Sequence, residues 1–448
     1  MKHLHLWIGL LAVASLVACE GTTTGGTTHP AAATEDAVAR TTLVASGGRN
    51  ASQWLTTDPV VLISFDGFRH DYIDRFRPPN FMRVIDAGVR ASAMQPPFPS
   101  KTFPSHYTIA TGLWAEHHGI TGNHFLDPER GAAYDMRDPV AVRDGSWYRG
   151  EPIWVTAESQ GMVAASYFFV GTEADIQGIR PSHTYAYDGS VPGPARVDQA
   201  LAWLAMAPER RPRIITLYFS DVDSAGHRHG PDSREVAAAV MRVDGWLGRL
   251  LDGIDALPEG DRVSLVLVSD HGMYRYDEAD MHAVDLATLA DVTWVDGGPY
   301  ASLMIDGDDP ARHRAIRDAI AAQVPPAVGV YLRADVPARL HYSADRRAGD
   351  IVVVPPLGHT VYEAGRLPDT GGFTHGWDPA APEMHGIFAA SGPRLEAGAT
   401  IGRIDHVDVY PLLAELLGLR PAEVDGSLAP FAAALRPRAG DQQAATAP

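Results

Sequence analysis

The stretch Val60-Val61-Leu62-Ile63-Ser64-Phe65-Asp66-Gly67 constrains this chain more than any other. A continuous apolar run ending on a carboxylate and a glycine reads as a buried parallel strand whose C-terminal tip delivers Asp66 into a crevice. The chain writes the pattern twice more. Ile214-Ile215-Thr216-Leu217-Tyr218-Phe219-Ser220 runs into Asp221-Val222-Asp223, and Val263-Ser264-Leu265-Val266-Leu267-Val268-Ser269 runs into Asp270-His271-Gly272. Three such strands side by side bring several carboxylates and a histidine to one edge of one sheet. Such a cluster repels itself unless a cation sits in it.

Around these strands helical and extended patterns alternate. Helices are predicted over 80–88, 102–112, 152–161, 194–206, 232–254, 309–324 and 407–417, and strands near 89–94, 162–169, 214–219, 263–269 and 301–305. In the helix over 232–254, Val236, Val240, Val243, Leu247 and Leu250 recur at alternating steps of four and three and form one apolar face. This is the βαβ rhythm of an α/β fold with a doubly wound, mostly parallel central sheet sandwiched by helices. The region from 331 to 368 reads as irregular strands and loops. With 448 residues, 45% of them apolar, the chain has enough material for one large α/β domain or two ordinary ones.

The ends read differently. Residues 1–18 carry Lys2, an apolar run from Leu6 to Val17 and then small residues, the layout of a secretory signal too short to span a membrane and stay there. Leu16-Val17-Ala18-Cys19 resembles a bacterial lipoprotein cleavage box, which makes Cys19 a lipidation site and predicts a membrane-anchored protein facing the periplasm. Cys19 is the only cysteine, so an intramolecular disulfide, thiolate zinc ligation and Cys-His catalysis are excluded. Residues 19–55, rich in Gly, Thr and Ala, read as a lipidated N-terminus and flexible tether, and 436–448 as a disordered tail. The balance of 37 basic against 55 acidic residues, net −18, argues against general or sequence-specific nucleic-acid binding through a basic face. An anionic substrate must be held by a local positive centre.

Several short motifs carry chemistry. Residues 102–112 have a hydroxyl residue just ahead of an early proline and a glycine as a stop, so a hydroxyl there faces the free N–H groups of a helical first turn, a natural place for a phosphate. Asp223 and His227 stand four apart, on one side of any helical turn that follows their strand, and form half a zinc site. Asp270-His271 follows a buried strand directly, and His375 lies in a loop after Gly371-Gly372, where it can complete a shell.

In order along the chain stand Asp66-Gly67-Phe68-Arg69, Lys101-Thr102-Phe103-Pro104-Ser105-His106-Tyr107, His118-Gly119-Ile120-Thr121-Gly122-Asn123, Asp223-Ser224-Ala225-Gly226-His227, Ser269-Asp270-His271-Gly272-Met273 and His375-Gly376-Trp377-Asp378. This series resembles the nucleotide pyrophosphatase/phosphodiesterase family of the alkaline phosphatase superfamily. The resemblance implies an alkaline phosphatase-like catalytic domain over 56–435 with two Zn2+ at the C-terminal ends of the strands. Asp66, Asp270, His271 and the nucleophile Thr102 would hold one ion, and Asp223, His227 and His375 the other. Asn123 would donate to a phosphate oxygen, and Phe103 and Tyr218 are candidates for an aromatic slot that stacks the base or leaving group.

The activity so implied is hydrolysis of nucleotide phosphodiester or pyrophosphate bonds to nucleoside 5′-monophosphates through a covalent phosphothreonine. Two zinc ions less three carboxylates and one alkoxide leave about zero net charge, which suits a phosphodiester monoanion better than a monoester dianion. A choline or phospholipid phosphodiesterase with the same site, a phosphomonoesterase, and a metal- or ligand-binding lipoprotein are the alternatives. No protein partner is predicted. His385 reads as a supporting or structural residue, and His106, His118, His229 and His282 carry no assignment.

Overall fold

The computed structural model describes residues 42–437, apart from 369. The signal and lipidation region including Cys19, most of the tether, and the tail beyond residue 437 lie outside the described residues. Nine strands form the central sheet: β1 (Leu43–Ala45), β2 (Val60–Phe65), β3 (Gly88–Ala91), β4 (Ala164–Tyr167), β5 (His183–Tyr185), β6 (Ile214–Phe219), β7 (Ser264–Val268), β8 (Phe388–Ser391) and β9 (Ala399–Ile401). Their spatial order is β1-β5-β4-β6-β2-β7-β8-β3-β9. Only β1 and β8 run against the rest.

Strand β2 sits at the centre, and both of its faces are covered. Val60 and Leu62 point into one apolar cluster and Val61, Ile63 and Phe65 into another, as the period of two requires. The first cluster is closed by α2 (Thr102–Thr111), α3 (Ile153–Ser159) and α8 (Val409–Leu417). The second is closed by α1 (Pro79–Asp86), α4 (Gly193–Leu204) and α6 (Arg234–Asp255). Helix α6 is capped by the Ser233 hydroxyl, which accepts from Val236 N–H at 3.2 Å, and it buries the face predicted for it. Between α4 and α6 lies α5 (Asp221–His229), which starts directly at the tip of β6.

Register aligns the strand tips. Val60 pairs with Ile214 on one side and with Ser264 on the other, and Val268 pairs with Ser64, so Asp270 comes level with Asp66. The chemistry-bearing residues therefore gather at the C-terminal edge of three adjacent parallel strands.

Two expectations are corrected. The strand Ala301–Ile305 is not part of the central sheet. It pairs antiparallel with Val292–Asp296 and Ile351–Val354 in a separate four-stranded sheet, on which α7 (Pro310–Ala321) packs with its own apolar cluster. A strand–helix rhythm cannot say which sheet a strand joins, because pairing is a nonlocal choice. The tether ends earlier than residue 55: β1 adds an edge strand to β5, and buried Asn50 bonds through its side chain to Pro208 O, Arg211 O and Val163 N–H. Helix α2 begins at Thr102, as the sequence predicts, with Lys101 in the capping position. No helix among the described residues is long and apolar enough to cross a membrane.

Truncation of Leu62, fully buried on the central strand, to alanine is expected to cost about 2–5 kcal/mol of stability. Leu43→Ala on the edge strand, where the side chain is half exposed, should change it by less than about 0.5 kcal/mol. Urea midpoints at unchanged slope give both values.

Candidate metal centre and active-site cleft

Asp66, Asp223 and Asp270 converge at the strand tips, and each keeps one carboxylate oxygen, Asp66 Oδ1, Asp223 Oδ1 and Asp270 Oδ2, buried without a hydrogen-bond partner. Their other contacts are fixed. Asp270 Oδ1 accepts from Gly67 N–H and from His271 N–H, both at 3.0 Å. Asp66 Oδ2 accepts from the Tyr218 hydroxyl at 2.5 Å. Gly67 makes the convergence possible: its φ is +68°, and a Cβ there would lie 2.7 Å from Asp223 Cα.

The histidines complete the set. His271 Nδ1 donates to Gly272 O, His375 Nδ1 to Ser100 O and His227 Nδ1 to Phe373 O, each at 2.9 Å. A carbonyl can only accept, so in each neutral ring the proton sits on Nδ1 and the lone pair on Nε2. These lone pairs face the carboxylates. His271 Nε2 is 2.9 Å from Asp270 Oδ2 without hydrogen-bond alignment and 3.4 Å from Asp66 Oδ1. His227 Nε2 lies 3.4 Å and His375 Nε2 3.9 Å from Asp223 Oδ1.

Lone pairs and orphaned carboxylate oxygens aimed at one another are what cations require, so the residues fit metal ions. Two sets have ligand atoms within 4.8 Å of one another: Asp66, Asp270 and His271, and Asp223, His271 and His375. The first set coincides with the grouping implied by the resemblance. In the second, His271 stands where His227 was expected, and His227 flanks the cluster through Asp223 and through its ring, 5.2 Å from that of His375.

The electrostatics express the same strain. Burial, followed by the charges of Asp270 and Asp223, raises the Asp66 carboxyl well above the usual range. Burial, opposed by the Gly67 N–H and reinforced by Asp223, pushes the Asp270 carboxyl up to about 8. Burial, together with His271, His227 and Lys101, holds the His375 imidazole well below its ordinary value.

Thr102 Oγ1 lies 3.2 Å from His271 Nε2, at the edge of this cluster. Helix α2 that carries it is locked from below: buried His106 contacts Thr102 O through Nδ1 at 2.8 Å and the Ser64 hydroxyl through Nε2 at 2.7 Å. Asn123 Oδ1 accepts from Phe103 N–H at 2.9 Å, which leaves its Nδ2 without a protein partner among the described residues, beside the start of the helix. Behind it, the Tyr342 hydroxyl holds Thr121 O. The His375 loop is fastened by the antiparallel pair Tyr274–Tyr276 with Gly372–Thr374 and by the Ser100 hydroxyl donating to Trp377 O.

A cleft of about 620 Å³ opens over Asp66, Thr102 and Asp223. Phe103 and Tyr218 line it as expected. Sequence reasoning missed its other walls, Phe168, Phe169, Tyr187 and the ion pair Arg143–Glu173 at 2.9 Å. The aromatic pair Phe168-Phe169 directly follows β4, the same strand-tip position that singled out the aspartates. Phe168 has φ +65°, a conformation a bulky residue rarely adopts and one that clusters at functional sites. His385 Nε2 donates to Pro379 O at 2.9 Å, His118 pairs with Thr108, and His282 with His359.

A mostly parallel sheet between helices, with its ligand-type residues at the strand tips, places the chain among alkaline phosphatase-like α/β proteins. Residues 60–378 match the profile of the type I phosphodiesterase / nucleotide pyrophosphatase family, and the chain belongs to that family. It is 32% identical over 385 residues to ectonucleotide pyrophosphatase/phosphodiesterase family member 1 of Homo sapiens, covering 83% of this chain and 41% of that protein. With venom phosphodiesterase of Crotalus durissus collilineatus it shares 32% identity, covering 85% of this chain and 47% of that protein. The chain thus spans less than half the length of these two relatives. It spans 81% of an uncharacterized pyrophosphatase/phosphodiesterase of Schizosaccharomyces pombe, at 31% identity. Among solved structures, human ectonucleotide pyrophosphatase/phosphodiesterase 5 superposes with a TM-score of 0.78 at 30% identity, covering 85% of this chain and all of that one. An inactive form of the murine counterpart in complex with AMP gives 0.77 at 29% identity, again over 85% of this chain and all of that one.

Folded, metal-free protein holds the Asp270 proton up to pH about 8, whereas an unfolded chain releases it near pH 3.9. Between those values the folded state binds more protons, so wild type is expected to lose stability relative to Asp270→Asn as pH rises from about 4 to about 8. Thermal unfolding in chelator at pH 5 and pH 8 measures the difference, and a divalent cation should restore wild type most at pH 8.

Proposed function

We propose that this protein is a two-zinc phosphodiesterase that cleaves nucleotide phosphodiester or pyrophosphate bonds and releases nucleoside 5′-monophosphates. One observation carries the reading: three orphaned carboxylate oxygens and the Nε2 lone pairs of His271 and His375 meet beside the Thr102 hydroxyl, with His227 flanking them at Asp223, at the floor of a cleft with aromatic walls. Asp66, Asp270 and His271 would hold one ion beside Thr102, and Asp223, His227 and His375 the second, with His271 close to both. Bound metal ions supply Lewis-acid stabilisation of charge on the phosphoryl oxygens and favour the deprotonated form of a hydroxyl.

The chain's own residues do the rest. Thr102 Oγ1 forms a bond to phosphorus as the bond to the leaving oxygen breaks on the opposite side. The phosphothreonine so formed is then cleaved by water, which returns the hydroxyl and frees the monoester. Asn123 Nδ2, with its carbonyl tied to Phe103 N–H, is oriented to donate to a non-bridging phosphate oxygen. Phe103 and Tyr218 offer ring faces to a base, and the Tyr218 hydroxyl at the same time fixes Asp66. Three carboxylates and a deprotonated Thr102 balance two divalent ions, which favours a diester monoanion. The AMP complex of the murine relative supports a nucleotide in the slot. The signal-like residues 1–18 and Cys19 support attachment of the chain to a bacterial envelope membrane by lipid, facing the periplasm.

Hydrolysis of thymidine 5′-(p-nitrophenyl phosphate) should exceed that of p-nitrophenyl phosphate and stop on chelation. Thr102→Ala should lower kcat by on the order of 10³ or more with metal content unchanged. A metal-loaded protein that turns over neither ester, nor a choline phosphodiester, would instead be a binding lipoprotein. Preference for the monoester would overturn the charge argument.

A further inference from the structure

A second cleft of about 490 Å³ opens beside the first, and the two share Ser220 and Ser224. Helix α5 explains the adjacency. A helix turns 100° per residue, so Asp223 and His227 form one stripe aimed at the metal cluster, and Ser224 and Arg228 form the next stripe around. That next stripe, continued by Asp221 and Ala225, lines the second cleft together with Arg196 from α4 and Arg242 from α6.

Its charge is unusual for this chain. Three guanidinium groups face two carboxylates, Asp221 and Glu235, in a protein whose net charge is −18. Glu235 is already paired with Arg234 at 2.9 Å, and Asp221 reaches Arg242 only at 3.3 Å. Arg196 is buried and fixed, donating to Val191 O and Tyr218 O, so it builds the wall and ties it to the strand that carries Tyr218. Arg228 spends only Nε, on Ser224 O at 2.9 Å, and its two terminal amino groups have no protein partner among the described residues. A guanidinium anchored through Nε presents its remaining donors as a fork that matches phosphate oxygens.

We infer that this basic cleft is a subsite, separate from the metal cluster, for a phosphate of the substrate other than the one hydrolysed. The inference rests on the phosphodiesterase reading above. The second phosphate can come from the leaving group, as in a nucleoside triphosphate, or from the nucleoside side, as in a 3′-phosphorylated nucleotide. In either case the scissile phosphorus sits at Thr102, and the additional anion lies across Ser224, about one helical stripe away.

Three substrates separate the possibilities: thymidine 5′-(p-nitrophenyl phosphate), its 3′-phosphorylated form, and ATP. Each is assayed with wild type, Arg242→Glu and Arg228→Gln, both substitutions being at exposed positions. The variants should lose roughly tenfold or more in kcat/KM, through KM, on at least one of the two multiply phosphorylated substrates, and stay within about twofold on the singly phosphorylated one. Loss confined to ATP assigns the cleft to the leaving group, and loss confined to the 3′-phosphorylated ester assigns it to the nucleoside side. Equal losses on all three substrates, or none on any, overturn the inference. Wild type that turns over none of them overturns the phosphodiesterase reading itself.

Discussion

Mutual repulsion among Asp66, Asp223 and Asp270 is the constraint on which the rest of this structure depends. Two like charges about 4 Å apart cost roughly 4 kcal/mol at an effective dielectric constant near 20, and Asp66 and Asp270 bring carboxylate oxygens within 4.8 Å of one another. No flexible loop could hold such a cluster. Here two of the carboxylates stand at the ends of neighbouring strands, β2 and β7, buried on both faces, and the third opens the helix that leaves β6. The apolar layers above and below the sheet thus do mechanical work: they keep charged groups in a geometry those groups would otherwise leave. Burial first, and the neighbouring carboxylates after it, raise the Asp66 and Asp270 carboxyls.

Orientation is imposed by a second layer made almost entirely of backbone. Gly272, Phe373 and Ser100 each present a carbonyl to an Nδ1–H, and each thereby turns an Nε2 lone pair inward. Ser100 has a double role, since its carbonyl holds His375 and its hydroxyl holds Trp377 O, and it lies two residues before Thr102. The nucleophile candidate and the most distant ligand candidate are therefore fastened to one short segment. His106 does the corresponding work from inside the helix, tying Thr102 O to the central strand through Ser64. The carbonyls that orient the histidines, and His106 and Ser64 beneath the helix, are not among the residues that line the cleft.

The cleft is asymmetric. One side is aromatic, with Phe103, Phe168, Phe169, Tyr187 and Tyr218, and the other side passes over Ser220 and Ser224 into a basic pocket. The small antiparallel sheet with α7 lies apart from both and carries none of the carboxylates or histidines of the metal cluster. Helix α5 is the divider between them, with metal-ligand candidates on one stripe and a phosphate-binding candidate on the next. Its sequence Asp221-Val222-Asp223-Ser224-Ala225-Gly226-His227-Arg228 thus encodes two different surfaces through the helical period alone.

Much of this was legible along the chain because it is local. Apolar runs ending in Asp66, Asp223 and Asp270 announce buried parallel strands and their tips, the i, i+4 spacing announces that Asp223 and His227 share a face, and the valines and leucines of 236–250 announce one side of α6. What stayed illegible is nonlocal. The strand at 301–305 reads like a central strand but pairs with a different sheet, and Leu43–Ala45 joins an edge that only β5 creates. Phe168, Tyr187 and Arg143 come from separate segments, so their shared wall exists only once the sheet order is set. By itself the sequence determined which residues carry charge, where they sit on their elements and the family to which they belong, because propensity and periodicity act between near neighbours. Tertiary structure alone decided which of them meet, which lone pairs face inward and which arginines border the active-site cleft, because pairing, burial and tautomer depend on segments up to hundreds of residues apart.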